Sequence, residues 1–136
     1  MASIFTQVRQ GDLPGQILYQ DKQVFVILSI APHNPGHCLV IPIEEVADLE
    51  ALADSTYGRL MDVVKQVMVT IKAVYSPSKV ALIVSGADLP DHCHVHVLPQ
   101  YQASDIDSSH AKQTDQDVLK IEANKILAYL KEHPIV

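Results

Sequence analysis

The sequence predicts an α+β fold, in which a five-stranded antiparallel sheet packs against a long middle helix and a C-terminal helix. Short runs of β-branched residues separated by turn residues indicate the strands, and two later stretches with apolar residues at helical spacing indicate the helices. With 136 residues, 48% of them hydrophobic, the chain has enough apolar material for one core. We therefore expect a single domain over residues 1–136.

The strand candidates share β-branched or apolar content and end at turn residues. They are residues 16–20, 23–31, 37–41, 79–85 and 92–98. Only Asp21 and Lys22 separate the first two runs, which favours a hairpin and therefore an antiparallel sheet. The Pro-His-Asn-Pro-Gly segment at 32–36 has the composition of a turn before the third strand.

The first helix candidate begins at Asp54 or Ser55 as its cap and reaches about Tyr75. Its apolar stripe contains Leu60, Val63, Val64, Val67, Met68, Ile71 and Val74. After Gln100 the chain becomes a polar loop, and Thr114 is the expected cap of a last helix over residues 115–131. The stripe predicted for that helix is Val118, Leu119, Ile121, Ile126, Leu127 and Leu130.

Composition narrows the class of protein. Ten Lys and Arg residues against sixteen Asp and Glu residues give a net charge of −6, which argues against a nucleic-acid partner. We also expect no membrane partner, because no apolar run approaches the roughly 20 residues that span a bilayer. The first residues lack the pattern of a secretory signal, so a cytoplasmic location is expected. Cys38 and Cys93 alone form neither a disulfide framework nor a zinc site.

Three histidines alternate along the last predicted strand. His92, His94 and His96 should project from one face, with Cys93, Val95 and Val97 on the other. Such a row is costly as ordinary packing, because a buried imidazole needs hydrogen-bond partners. The spacing alone leaves two interpretations open. In the first, the histidines bind a metal ion; in the second, one histidine is a nucleophile and its neighbours orient it.

Residues 92–98 also fit the His-φ-His-φ-His-φ-φ signature of the histidine-triad (HIT) family, in which φ is an apolar residue or cysteine. Pro-Gly-His-Cys-Leu-Val-Ile-Pro at 35–42 resembles the family's Pro-Gly-His-x-Leu-Val-Ile-Pro element. Ile4-Phe5 and the Gly-Asp-Leu-Pro segment at 11–14 are similar to its opening. The resemblance covers about residues 3–100, leaving a C-terminal loop and helix at 101–136. It implies a HIT-like fold.

The resemblance also implies an activity: a nucleotide hydrolase or nucleotidyl transferase that cleaves phosphoanhydride or phosphoramidate bonds of nucleoside monophosphate derivatives. In the family the middle histidine, here His94, forms a covalent nucleotidyl intermediate without a metal or cofactor. A backbone carbonyl at His92 orients it, while His96 lies near the phosphate and leaving group. His37 matches the upstream histidine that completes the site.

The resemblance further suggests a set of nucleotide contacts, namely Ile4, Phe5, Val8, Ile27, Ser29, Ile30 and Ser85. The apolar members form the expected slot for the base, although Ile27 and Ile30 are equally compatible with ordinary strand core. Ser29 stands where many members have an aspartate that binds the ribose hydroxyls. Ser3 and Thr6 stand where some bacterial members have zinc-binding cysteines.

The loop before the triad departs from the best-known family pattern. Residues 86–91 lack the Gly-Gln-Ser/Thr run of the phosphoramidase and dinucleoside polyphosphatase branches. They resemble the Gly-x-Glu-x-Pro loop of other members, with Asp88 near the glutamate position. This departure leaves an alternative function open: a nucleotide- or protein-binding module with little turnover.

A homodimer is the expected assembly, since many family members are two-fold dimers. The run 79–85 is apolar on both faces, and an open strand edge of this kind invites pairing. Met61 and Val69 lie outside the main stripe of the long helix, which indicates a second surface that needs cover.

Overall fold

The computed structural model describes residues 2–136. Its helices are α1 (Ile4–Gln10), α2 (Asp54–Tyr75) and α3 (Gln116–Glu132). Its strands are β1 (Ile17–Gln20), β2 (Val24–Leu28), β3 (Cys38–Pro42), β4 (Lys79–Ile83) and β5 (Val95–Gln100). Short 3₁₀ turns occupy Leu49–Ala51, Ala103–Ile106 and Ser108–His110.

The five strands form one antiparallel sheet in the order β1-β2-β3-β5-β4. The predicted fold class is confirmed. In the centre of the sheet Leu39 on β3 pairs with His96 on β5, and Ile83 on β4 pairs with the same histidine from the other side. His96 therefore lies between two neighbouring strands, while β4 forms an edge.

Two apolar clusters cover the two faces of the sheet. The larger cluster, which we call the helical-face core, joins one face to α2 and α3; it includes Val26, Val40, Val97, Leu60 and Ile126. The smaller one, which we call the open-face cluster, contains Phe5, Val8, Phe25, Ile27, Leu39 and Ile41. Because strand residues alternate between faces, β2 and β3 contribute side chains to both clusters. Cys93, Val95 and Val97 belong to the helical-face core, as the alternation predicted.

Helix α1 is not among the elements that the sequence pattern predicts. The Ser3 side chain accepts a hydrogen bond from the Thr6 amide and so caps the N-terminus of this helix. Gly11 ends the helix in the left-handed conformation, at φ +86°, where its amide bonds to the carbonyls of Gln7 and Val8. Serine before and glycine after a short segment are the sequence signals that could have identified it.

The last strand begins later than predicted: β5 starts at Val95, so His92 and His94 precede it. The Pro42 carbonyl, at the end of β3, accepts a hydrogen bond from the His92 ring, and the Cys93 amide bonds to Val46. These contacts replace the strand ladder at this point. The second strand also ends early, at Leu28, because the Ala31 amide turns back to the Ser29 hydroxyl.

The long helices have their predicted spans to within a residue, but their caps and outer residues differ. Ala53 and Asp115 precede α2 and α3 and make no side-chain cap, so neither Asp54, Ser55 nor Thr114 serves as one. Three members of the stripe predicted for α3 are exposed: Val118, Ile121 and Leu127. Leu119 and Ile126 of the predicted stripe are buried, together with Ala123, which the stripe did not include. Met61 packs partly against the helical-face core, whereas Val69 is 56% exposed.

Across residues 2–136, none of the helices combines the length and the apolar character that crossing a bilayer requires.

Candidate active site

His94 has one ring nitrogen fixed and one nitrogen available. Its Nδ1–H donates to the carbonyl oxygen of His92 at 2.8 Å, and the residue is only 1% exposed. The Phe5 ring contacts the imidazole edge-on, with ring centroids 4.8 Å apart. Because the backbone carbonyl can only accept, the proton is held at Nδ1 and the chemistry of the ring is left to Nε2.

His92 is held by groups from two other parts of the chain. Its Nε2–H donates to the Pro42 carbonyl at 2.7 Å, so its Nδ1 accepts from the Ser3 hydroxyl at 2.6 Å. Ser3 also caps α1, and its own amide bonds to the Glu45 carboxylate. Burial lowers the pKa of His92, although the Pro42 carbonyl opposes this effect. The carbonyl that orients His94 is therefore anchored through a neutral imidazole.

His37 and His96 form a directed pair on the other side of His94. The backbone amide of His33 donates to His37 Nδ1 at 3.0 Å, so His37 carries its proton on Nε2. That Nε2–H donates to His96 Nδ1 at 2.9 Å, which places the His96 proton on its own Nε2. Burial lowers the pKa of His37 to about 3, and the nearby His96 and His33 act in the same direction. The hydrogen bonds from the His33 amide through His37 to His96 thus leave the Nε2–H of His96 as the remaining donor of the pair.

The turn before β3 places His37. Gly36 adopts φ +95°, a conformation that favours glycine, and an added Cβ would collide with the Tyr75 ring. In the same turn Asn34 donates to the Pro99 carbonyl and to the Asp105 carboxylate. Asp105 also accepts from the Tyr101 amide at 2.8 Å. The polar loop after Gln100 is thus tied to the turn that presents His37.

Asp88 is a further member of the cluster. Its two carboxylate oxygens lie 3.0 and 3.1 Å from His94 Nε2, and one of them lies 3.2 Å from His96 Nε2. Partial burial raises the pKa of Asp88, but the charges of His94 and His96 outweigh it and lower the pKa overall. Since a carboxylate accepts, the contact with His94 forms when Nε2 is protonated.

The residues that the resemblance suggests as nucleotide contacts fall into two groups, one buried near the triad and one exposed or engaged elsewhere. Phe5, Val8 and Ile27 are buried together in the open-face cluster, beside His92 and His94. Ile4 and Ile30 are 51% and 46% exposed and lie outside that cluster, and Ser85 is exposed as well. Ser29 is buried and holds the Ala31 amide.

A cavity of about 600 Å³ opens next to His37. Ser29, His33, His110 and Lys112 contribute to its lining, and residues of α3 close one side. Its volume is in the range of small-molecule sites. His37 lines this cavity, and its hydrogen bond to His96 connects the cavity to the pair that ends at His96 Nε2.

The metal interpretation has one candidate donor set within residues 2–136. Ligand atoms of Asp88, His94 and His96 all lie within 4.8 Å of one another. A metal ligand must offer a lone pair, yet the bond from His37 places a proton on His96 Nε2. Coordination through this atom would therefore break the chain of hydrogen bonds that begins at the His33 amide.

Two residues in contact with the triad, Ser3 and Asp88, were absent from the sequence-based set of site residues. Ser3 lies 89 residues from the histidine that it contacts. Asp88 lies six residues before His94, and the resemblance places it only near a family glutamate. The signal available for Asp88 was a carboxylate in the turn just before the triad.

The fold and the row of imidazoles define a histidine-triad protein. A family model for the HIT domain matches residues 10–103. The chain belongs to the HIT-domain family.

Curated relatives and solved structures extend the comparison. The chain is 35% identical over 106 residues to an AP-4-A phosphorylase of Mycobacterium tuberculosis, covering 74% of this chain and 54% of the relative. It is 32% identical over 103 residues to an adenosine 5′-monophosphoramidase of Schizosaccharomyces pombe, covering 74% and 75%. A Hit-like protein from Bartonella henselae shares the fold, with a TM-score of 0.79, 23% identity and coverage of 92% and 94%. The chain spans about half the length of the mycobacterial relative.

Proposed function

We propose that the protein hydrolyses or transfers nucleoside monophosphate groups from phosphoanhydride or phosphoramidate compounds. The observation that carries this proposal is the state of His94, whose Nδ1 proton is held by the His92 carbonyl at 2.8 Å. An imidazole fixed in this way presents a nucleophilic Nε2 once that nitrogen is unprotonated. The names of the two relatives, a phosphorylase of a dinucleoside polyphosphate and a phosphoramidase, agree with this chemistry.

The proposed reaction has two displacements at phosphorus. The Nε2 lone pair of His94 forms an N–P bond to the α-phosphorus as the bond to the leaving group breaks, and the leaving group departs with that electron pair and takes up a proton. Water or another acceptor then attacks phosphorus, the N–P pair returns to Nε2, and the acceptor releases a proton. His96 Nε2–H, aimed at the site by His37, donates to the charge that develops.

The remaining residues are assigned by their position. Phe5, Val8 and Ile27 form the apolar base slot, a name that we use below for these three residues. Ile4, Ile30 and Ser85 would reach a nucleotide only from the exposed rim, and Ser29 only by giving up its hydrogen bond to Ala31. We assign the chemical step to His94, His96 and His37, and the orientation of His94 to His92.

The deciding experiment is a substrate panel. Adenosine and guanosine phosphoramidates, dinucleoside polyphosphates and adenylyl sulfate are incubated with the full chain, and released nucleoside monophosphate is measured. We expect release from at least one compound, with equal rates before and after chelator treatment. A rate that falls with chelation and returns with zinc would instead support the metal interpretation.

A second candidate, a nucleotide- or protein-binding module with little turnover, is favoured by one observation. The Asp88 carboxylate occupies the hydrogen-bonding position at His94 Nε2. This candidate predicts measurable binding of AMP by calorimetry together with no release of product from any compound of the panel.

We propose further that the protein is a homodimer formed through β4 and the outer face of α2. Leu82 and Val84 are exposed at and just beyond this edge strand, and Val69 is exposed on α2. A self-complementary contact would cover these apolar side chains and the unpaired strand edge together.

The assembly is tested by sedimentation of the full chain at micromolar concentration. We expect a species of about 30 kDa, twice the chain mass of 15.0 kDa. Val69→Asp should shift this species to the monomer, whereas Val118→Asp, at a similarly exposed valine of α3, should not. A 15 kDa species across the whole concentration range would refute the proposal.

A further inference from the structure

The loop that joins β4 to His92 enters the space where the reaction has to occur. The carboxylate oxygens of Asp88 lie 3.0 and 3.1 Å from His94 Nε2. A nucleotide's α-phosphorus has to approach this same nitrogen for an N–P bond to form. The carboxylate and the phosphoryl group therefore exclude each other.

The next residue of the loop, Leu89, packs against the apolar cluster to which the base slot belongs. This open-face cluster contains Phe5, Val8 and Ile27. Two consecutive residues thus place an anionic group at the nucleophile and an apolar group against the open-face cluster. A nucleoside monophosphate presents the same two features, a charged phosphoryl group and an apolar ring.

We propose that Asp88 and Leu89 imitate the substrate and determine which ligands the site accepts. This inference rests on the proposed function and adds a specificity mechanism to it. A ligand that brings both an anionic phosphoryl group and an apolar ring replaces both contacts. Inorganic phosphate replaces the Asp88 contact only, so Leu89 remains packed against the open-face cluster and phosphate makes no contact there.

The exposure of the two residues supports exchange with a ligand. The Asp88 side chain is 52% exposed and Leu89 is only partly buried, whereas the His94 side chain is fully buried. Moving the loop away therefore uncovers little apolar surface, while the histidines stay in place. The affinity for a ligand is lowered by the fraction of molecules in which the loop occupies the site.

Binding measurements on the full chain test the proposal with two probes, AMP and inorganic phosphate. Asp88→Asn should tighten the binding of both probes about tenfold, because it removes a competing charge. Leu89→Ala should tighten only AMP. Asp91→Asn is the matched control, since Asp91 is an exposed carboxylate in the same loop, and it should change neither affinity. Thermal unfolding is recorded for each variant, and Leu89→Val replaces Leu89→Ala if the latter does not fold.

Turnover separates competition from direct participation in the reaction. With the best substrate of the panel, Asp88→Asn should lower KM about tenfold and leave kcat unchanged. A fall in kcat with unchanged AMP affinity would overturn the proposal, because Asp88 would then take part in the chemistry. The proposal would also be overturned if Asp88→Asn and Leu89→Ala bound AMP with the same affinity as the control Asp91→Asn. If AMP affinities change as expected but no variant releases product, the proposed function fails and the substrate imitation stands.

Discussion

The two faces of the sheet are built from the same strands and meet different demands. On the helical face, Val26, Val40 and Val97 belong to an apolar core that they share with residues of α2 and α3. On the open face, the neighbouring positions carry His37, His94 and His96 beside a smaller apolar cluster. A single alternation of side chains along each strand thus separates the main core from the chemistry.

The difference lies in what holds each face together. Burial of apolar surface is non-directional, so the helical face tolerates exchanges of similar volume. The open face depends on directed bonds, because each buried imidazole needs a partner for both ring nitrogens. Backbone groups of His33, Pro42 and His92 fix the tautomers of the histidines. Changes on one face should consequently affect stability, and changes on the other mainly activity.

The largest effect is expected from His94→Asn, which removes the nucleophile of the open face. The variant should lose at least about 1,000-fold in kcat while it keeps its fold and most of its affinity for AMP. Steady-state kinetics, circular dichroism and calorimetry measure the three quantities. His133→Asn, at an exposed histidine after α3, is the control. If the variant retained more than about a tenth of wild-type kcat, His94 would not be the nucleophile.

On the helical face the matching change is Leu60→Ala. Leu60 is fully buried on α2, and removing its side chain should lower the free energy of unfolding by about 3 kcal/mol. Below its unfolding temperature the variant should keep wild-type kcat. Leu127→Ala makes the same change at an exposed position of α3 and should cost much less. A loss of kcat in folded Leu60→Ala would show that the two faces are coupled.

Acid should destabilise the open face. Burial lowers the pKa of His37 to about 3 from 6.5, so the unfolded chain takes up the proton first. Stability is therefore lost as pH falls from about 6.5 towards 3, by about 2 kcal/mol for His37 between pH 7 and pH 5. Denaturant unfolding at the two pH values measures the loss, which His37→Gln should reduce and His133→Gln should not. If His37→Gln lost as much stability between pH 7 and pH 5 as the wild type, His37 would not be the residue responsible.

The smallest effect is expected from Ser3→Ala, which removes a support of the triad and the cap of α1. We expect a loss of about 1 kcal/mol in stability, the usual cost of a missing N-cap. The His92 Nδ1 would also lose its donor. Ser3→Thr keeps a hydroxyl and should restore most of the loss. Equal stabilities of Ser3→Ala and Ser3→Thr would mean that the hydroxyl contributes little.

Much of the fold could be predicted because its signals are periodic. The spacing of apolar residues identified α2 and α3, and the short turn at Asp21 and Lys22 identified the first hairpin. The sequence pattern does not identify α1, because seven residues are too few to show a helical period of apolar residues. Its N-cap Ser3 becomes recognisable only when Gly11 is known to end the helix. The outer residues of α3 were misassigned because several apolar residues compete for one face, and the partner surface decides which are buried.

The sequence by itself determined those parts of the candidate site that depend on neighbouring residues or on short motifs. Alternation placed three histidines on one side, and the motifs at 35–42 and 92–98 associated His37 with them. Only the tertiary structure decided which ring nitrogens of His92 and His96 carry their protons, because that depends on the Pro42 carbonyl and the His37 ring, 50 and 59 residues away along the chain. It also brought Ser3 to His92 and Asp88 to His94. Hydrogen bonds are directional and short-ranged, so they become predictable only when the backbone has fixed both partners.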